Sequence, residues 1–491
     1  MVSARIKKFL TILILLIIHL ITHVRSFETP FQVPLSELQT GPKKVGIIGA
    51  GAGGSSAAYF LANSFRNTSI PVSITVYEKE SVVGGRTNSI IFERNNTKYV
   101  VEMGASIFVE INYHLINASK KFGLELISFT DGYPEAKTAV WDGTQFVFEE
   151  TSNTFWDIVK LFWKYGWTPI KIQRIIKAII DRFLKGYDLT EPFYNIDSEL
   201  ERLHLVLEKQ YTGQYYFSEL KNINQLYLQH LVEPMTRVNY AQNLGEIHAM
   251  GTFISLAPQV NKIVCVRGGN HQIFENFIKH SEADLKLSTK VSNVTKIIND
   301  EGNIKYEIVT KDGSVDTFDA VILAAPIQFT EIRFINVNVQ MKEIPYIKLH
   351  VTLIAGRLNP EYFGRNSSDE VPQAILTTNS GKTDFLSLAA RVKLENGEIL
   401  YKIFSQHSMS DELLDRIFTD RSSIYRKVWN SYPRLLPNQE FPRVELDDNF
   451  FYVNSYEPLI STMETECVSS NNIVKMLSQR WINVEKVKAE L

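Results

Sequence analysis

Three glycines spaced Gly49-X-Gly51-X-X-Gly54 and an acid at Glu78 are the residues best suited to hold a phosphorylated ligand. Gly49 permits a tight turn, Gly51 lets backbone approach a pyrophosphate, and Gly54 lets a helix pack close to a strand. A carboxylate 24 residues beyond Gly54 is placed to accept hydrogen bonds from a ribose diol and to repel a 2′-phosphate. Gly84, Gly85 and Arg86 follow at once, a second glycine loop carrying a guanidinium suited to phosphate. Next, "VVEMGASIF" sets Gly104, Ala105 and Ser106 behind Glu102, small residues past which a flat ring can lie against backbone. A plain nicotinamide dehydrogenase needs neither of these last two segments, so the set favours FAD over NAD.

The flanking sequence supplies elements to position these residues. Val45, Ile47 and Ile48 form an apolar run suited to a buried parallel strand. Ala57, Ala58 and Leu61 then repeat at helical spacing, so the glycines sit where a helix tip offers free N–H groups and about half a positive charge. "VSITVYEKE" is a second strand that ends at Glu78. Two later segments, "LKLSTKVSNVTKI" and "TFDAVILAAP", read as strands returning to the same domain, with Val291 placing backbone against adenine. Near the C-terminus, Ser461-Thr462-Met463-Glu464 fits a capping box, with Ser461 as N-cap and Glu464 three residues on. A plain capped terminal helix would have the same local sequence.

Composition bounds the rest. The chain has 491 residues, 44% apolar and 22% charged, with a net charge of −2. That is an ordinary globular composition with no field favouring nucleic acid, and no nucleic-acid partner is expected. Arg5, Lys7 and Lys8 precede an apolar run from Phe9 to about Val24, near a signal-peptide core in length and short of the ~20 residues of a bilayer span. Cleavage near Ser26 and an uncleaved anchor both stay open, and both send the chain into the secretory pathway. Asn67, Asn95, Asn117, Asn293 and Asn366 open N-glycosylation sequons. Two cysteines, Cys265 and Cys467, exclude a disulfide scaffold and leave room for one bridge. No catalytic triad or metal-spaced His/Cys cluster is visible, so no metal is expected. The aromatic stretch with Trp156, Trp163 and Trp167 and its repeated isoleucines is expected to pack as core, a tunnel lining or a membrane contact being the alternatives.

At this point the sequence resembles the glutathione-reductase-type FAD proteins and, among them, the prenylcysteine oxidases, also called prenylcysteine lyases. The likeness is carried by the glycine and acid motifs together with "EMGASIF", "FWKYGW", "TRVNYAQN", "ISLAP", "VRGGNHQIFENF", "DAVILAAP" and "FFYVNSYEPLISTMETECVSSNNIV". It implies an α/β fold, with a discontinuous Rossmann-type FAD-binding domain of glutathione-reductase and amine-oxidase type and a mixed α+β substrate domain. The expected plan is a signal peptide over 1–26, a leader over 27–42 and FAD-binding segments over 43–110, 261–335 and 441–491. A helical substrate segment over 111–260 and a stranded one over 336–440 complete it. The resemblance implies FAD held by Gly49, Gly51, Gly54, Glu78, Gly84, Gly85 and Arg86, with Gly104, Ala105, Thr462 and Met463 near the ring. The last helix would point its N-terminus at the isoalloxazine.

The reaction implied is oxidation of a prenylcysteine thioether by O2. The carbon bonded to sulfur loses a hydride, water adds, and the thiohemiacetal collapses to prenyl aldehyde and cysteine, with hydrogen peroxide as the other product. Expected partners are that small molecule and O2, membrane association being allowed but not required. The compartment implied is a lysosome or vacuole, or the cell exterior. Arg237, Asn239, Tyr240 and His248, in "TRVNYAQNLGEIHAM", are candidates to anchor the cysteine end or to pack structurally, and no catalytic side chain is assigned. Two rivals stay open: another flavin oxidase of the same fold, and a prenyl-binding escort-type protein without redox chemistry.

Overall fold

The computed structural model of the chain describes residues 41–490 apart from 152, 189, 190, 301 and 396. The expected signal peptide and nearly all of the 27–42 leader lie outside the described residues.

The first apolar run forms strand β1 (Lys43–Ile48), followed by helix α1 (Ala52–Phe65) and strand β2 (Val72–Tyr77). In the middle of the chain lie two helices, α2 (Thr154–Tyr165) and α3 (Thr168–Leu184). Strands β3 (Asp284–Lys286), β4 (Ala320–Leu323) and β5 (Phe450–Tyr452) come later, and helix α4 (Met463–Glu490) ends the described chain. One sheet collects all five strands in the order β3-β2-β1-β4-β5, closed at its edge by Glu445–Asp447. The first five pair in parallel, and Glu445–Asp447 runs antiparallel to β5.

A parallel sheet buries both faces, which is why its strands read as continuous Val and Ile rather than as an alternation. α1 and α4 pack together over one face, where Ser470 Oγ donates to Gly53 O at 2.7 Å. On the other face, Ile48, Tyr77, Val321 and Leu323 pack against Val294, Tyr306, Ile308 and Phe318 of a four-stranded sheet.

A seven-stranded sheet forms the second layer system, ordered Phe418–Pro433, Tyr346–Leu358, Ile399–Ser405, Ser387–Lys393, Ala374–Thr377, Thr138–Trp141, Phe146–Glu149. Two of its strands come from the stretch expected to be helical. Residues 138–149 are rich in Val, Phe and Trp, which suit a half-buried pleated surface. Thr138–Trp141 lies parallel to Ala374–Thr377, a partner more than two hundred residues away. Conversely, Asp411–Ile417 is a helix within the stretch expected to be stranded.

The aromatic stretch also departs from expectation. α3 buries Ile172, Ile176, Ile179 and Ile180, each worth about 1.5–3 kcal/mol before entropy costs. Yet Trp156, Trp163 and Trp167 are 57%, 91% and 76% exposed. The isoleucine stripe is core and the tryptophans are surface. Cys265 and Cys467 are free thiols, so no bridge joins them. Among the sequons, Asn67, Asn95, Asn117 and Asn366 are exposed and Asn293 is half-buried.

Candidate functional site

The glycine turn between β1 and α1 is held from both sides. Gly49 N–H donates to Tyr77 O at 2.8 Å, and Gly84 N–H donates to Ala50 O at 3.0 Å. Gly51 and Gly84 form an isolated parallel bridge, so the two glycine loops lie side by side. A Cβ on Gly54 would stand 1.8 Å from Gly49 O, so only glycine lets α1 start this close to the strand. α1 carries no side-chain cap and no acid in its first turn. Its first N–H groups, together with the helix dipole, are therefore available to an anion.

Glu78 closes this corner. Its Oε2 accepts from Ala50 N–H at 2.8 Å and its Oε1 from Glu80 N–H at 2.9 Å. An ionised carboxylate offers about four acceptor sites, which leaves capacity for a diol. Thr289 N–H donates to Glu78 O at 2.8 Å. Val291, two residues on, is buried with Ile48 and Tyr77. Gly49, Gly51, Gly54, Glu78, Gly84 and Val291 are thus one neighbourhood.

Arg86 opens a second. Its guanidinium pairs with buried Glu457 and donates to Ser431 O at 3.0 Å. Glu457 also accepts from Tyr346 Oη at 2.6 Å, Ser461 Oγ at 2.9 Å and Asn454 Nδ2 at 3.1 Å. Burial works against the Arg86 charge, but Glu457, Tyr346 and Glu466 around it more than offset this and its pKa is raised. Burial, with the Glu457 charge beside it, pushes the Glu466 carboxyl up. Ala105 N–H donates to Arg86 O at 3.2 Å. A Cβ on Gly104 would meet that oxygen at 1.9 Å and the Trp429 ring at 2.4 Å. Around this cluster the buried Trp429 Nε1, Ser431 Oγ, Asn454 Oδ1 and Ser455 Oγ have no hydrogen-bond partner in the protein. Unpaired buried polar atoms are costly, and four near the half-buried Arg86 and its buried partner Glu457 suit a flat polar ligand such as a flavin ring.

Lys402 reaches this region from the seven-stranded sheet. Its Nζ donates to Glu102 O at 2.7 Å and Ser106 Oγ at 2.8 Å. Burial and neighbouring Arg391 push its pKa down, and burial lowers Arg391 to about 10. Glu102 Oε1 accepts from Asn270 N–H at 2.6 Å, while its Oε2 is buried without a partner.

The tip of α4 differs by one residue from the sequence reading. Thr462, not Ser461, is the N-cap: its Oγ1 accepts from Thr465 N–H at 3.1 Å, and Thr465 Oγ1 accepts from Thr462 N–H at 3.2 Å. Ser461 turns instead to Glu457. Glu464 leaves the box and accepts from His114 N–H at 2.8 Å, Leu115 N–H at 3.0 Å and Tyr187 Oη at 2.7 Å. It thereby caps the helix Tyr113–Lys121, whose own N-cap Asn112 makes no cap bond. Burial raises Glu464 to about 7.

The "TRVNYAQNLGEIHAM" residues are largely spent on structure. Arg237 bonds Asn243 Oδ1 at 2.7 Å and Thr377 and Thr383 at 3.1 Å. His248 Nδ1 accepts from Gly251 N–H at 3.0 Å, capping a helix, and burial lowers it to about 4. Asn239 Nδ2 donates to Met235 O at 2.9 Å, within its own helix. Tyr240 packs edge-on against Tyr432, beside Ser431, but its buried hydroxyl has no hydrogen-bond partner in the protein and stays open to a ligand. Sequence reasoning missed Glu457, Tyr346, Trp429, Arg391 and Lys402. Lys402 left a trace, being a lysine inside the apolar strand "ILYKIFS". Among the described residues no group of His, Cys, Asp or Glu could hold a metal ion.

A discontinuous Rossmann-type domain joined to a large mixed sheet is a fold shared with solved amine oxidases. Cyclohexylamine oxidase from Brevibacterium oxydans matches with a TM-score of 0.58 at 13% identity, covering 90% of this chain and all of that one, a likeness of fold. The profile for NAD(P)-binding Rossmann-like domains matches residues 47–119. That for prenylcysteine lyases matches 148–490, and the chain belongs to this family. Curated relatives include a farnesylcysteine lyase of Arabidopsis thaliana, 29% identical with 94% of each chain covered. Prenylcysteine oxidase 1 of Mus musculus is 28% identical, with 91% of each covered.

Proposed function

We propose that the protein is an FAD-dependent oxidase that cleaves the thioether of prenylcysteines with O2 and water, giving prenyl aldehyde, cysteine and hydrogen peroxide. The observation that carries this reading is the coincidence, in a prenylcysteine lyase family chain, of an uncapped helix tip, a diol-ready Glu78 and an Arg86–Glu457 pair with unpaired buried polar atoms around it. When bound, the flavin supplies the two-electron oxidation and its reversal by oxygen. The N–H groups of α1 and the Gly49–Gly54 turn would hold the diphosphate, and Glu78 the adenosine ribose. Ala105 and the unpaired Trp429 Nε1 would face the ring, while Gly104 lets its backbone pack against Arg86 O and Trp429. The tip of α4, at Thr462 and Met463, would direct a positive dipole end toward negative charge on a bound flavin. Lys402, held at two acceptors, keeps a cation or a titratable proton at its Nζ beside Glu102. The leader and the four exposed sequons support a secretory route to a lysosome, a vacuole or the exterior.

Incubation with farnesylcysteine and geranylgeranylcysteine under air, reading peroxide and aldehyde, tests this. Both products should rise together with either thioether, and benzylamine should yield neither. Peroxide from the amine but not from the thioethers would sink the proposal in favour of an amine oxidase. Purified protein that is colourless and takes up no FAD would favour an escort-type role.

A further inference from the structure

We propose that the α2–α3 hairpin is a membrane-docking surface that seats on bilayers carrying anionic lipid headgroups. Among the described side chains of α2, only Tyr165 is buried. Phe155 and Trp156 are 66% and 57% exposed, and Trp163 and Trp167, flanking the Gly166 turn, are the most exposed large apolar residues of the stretch. Local features hold the helix in place of burial. Asn153 Oδ1 accepts from Phe155 N–H at 3.1 Å, and Gly166 closes the other end at φ 61°. A twelve-residue helix is marginal by itself in water, and this one turns Phe155, Trp156 and Trp163 outward. α3 anchors the hairpin through its buried isoleucines and leaves α2 facing solvent.

Charge selects the occupant. Residues 154–185 carry seven Lys and Arg against two Asp, a net +5 in a chain of net −2, with one of the cations, Arg182, paired to Glu208. One of the two acids, Asp157, is engaged by Thr151. Beside Trp167 a cavity of about 740 Å³ is lined by Ile170, Ile175 and Leu220 and by the cations Lys171, Arg174 and Lys221. Apolar aromatic residues rimmed by basic ones are what a helix lying in a lipid interface presents, with Trp at headgroup level. A second copy of the same face would set Lys171, Arg174 and Lys221 against the same cations and be repelled. Among the described residues no helix is long and apolar enough to cross a membrane, so the contact is peripheral. The proposal does not depend on the redox reading, since vesicle binding is measured without turnover.

The test is flotation of the full chain with vesicles of phosphatidylcholine alone or with about one third phosphatidylserine. Wild type should float with the anionic vesicles and lose about tenfold in partition when phosphatidylserine is omitted or salt is raised several-fold. Trp163→Ser with Trp167→Ser, and separately Lys171→Glu with Arg174→Glu, should each lower partition about tenfold, with helical circular dichroism unchanged. All four side chains are partly or fully exposed, and the two pairs fail independently. Equal flotation of wild type and both variants would assign binding to another part, such as the Phe9–Val24 run, and overturn the proposal. Absence of binding to either vesicle would overturn it equally.

Discussion

Two glycines of the site resist alanine for different reasons, and the difference separates packing from ligand binding. At Gly104 the added carbon meets Arg86 O at 1.9 Å, so backbone must shift, which typically costs about 1–3 kcal/mol. Gly104→Ala should lower the midpoint of urea unfolding even in protein stripped of cofactor. At Gly51 the nearest atom is 3.8 Å away and the backbone is extended. Gly51→Ala should therefore keep stability within about 1 kcal/mol yet lose flavin, read as absorbance released on denaturation. Glu78→Ala should also weaken flavin retention, and an unchanged flavin content would remove Glu78 from the site. These residues were legible because their motif is local: turn, helix tip and acid lie within thirty residues. Glu457 and Lys402 were not, because the sheet order alone brings them to Arg86 and Glu102, and no spacing in the chain records that.

Among the elements, α4 ties the cofactor neighbourhood to the rest. Thr462→Ala should cost about 1 kcal/mol through the lost cap, and Ser461→Ala less, by thermal melts compared at one pH. The reverse order would restore Ser461 as the cap. Sequence alone could not decide, since Ser461–Glu464 and Thr462–Thr465 both have the spacing of a box. Structure decides because Glu464 is drawn to the otherwise uncapped helix Tyr113–Lys121. That carboxyl, raised by burial from 4.5 to about 7, binds its proton more tightly folded than unfolded. Its contribution is fully present below pH 4.5 and is lost as pH rises through 7, a change on the order of 3 kcal/mol. Glu464→Gln should flatten stability against pH across that window in chemical denaturation. The α2–α3 hairpin was half legible. Its three-to-four isoleucine spacing reports a buried face, whereas periodicity says nothing about whether a tryptophan beyond that face meets protein or solvent.

For the whole molecule, class and order of segments follow from continuous apolar runs broken by glycine, and the returns near 285–297 and 317–326 were visible as strands, although each divides into two, one in the parallel sheet and one in the four-stranded sheet packed on it. What the sequence hid was the mixing of the two sheets' segments, because strands as short as Thr138–Trp141 carry too few residues to show a period. The place of β5 beside β4, with β1 next in line, has a consequence for biosynthesis. Strand β1 is among the first described residues made, but the sheet in which it is buried is complete only once residue 452 has been added. At about 5–20 residues per second, some four hundred residues separate the two by roughly 20–80 s. A nascent chain therefore holds an open apolar edge throughout that interval, first on β1 until β4 is made and then on β4 until β5 is made. A message cut short after residue 440 should yield aggregated protein rather than a weakened enzyme, and pulse-labelled ribosome-bound chains should become protease-resistant only at the end of synthesis.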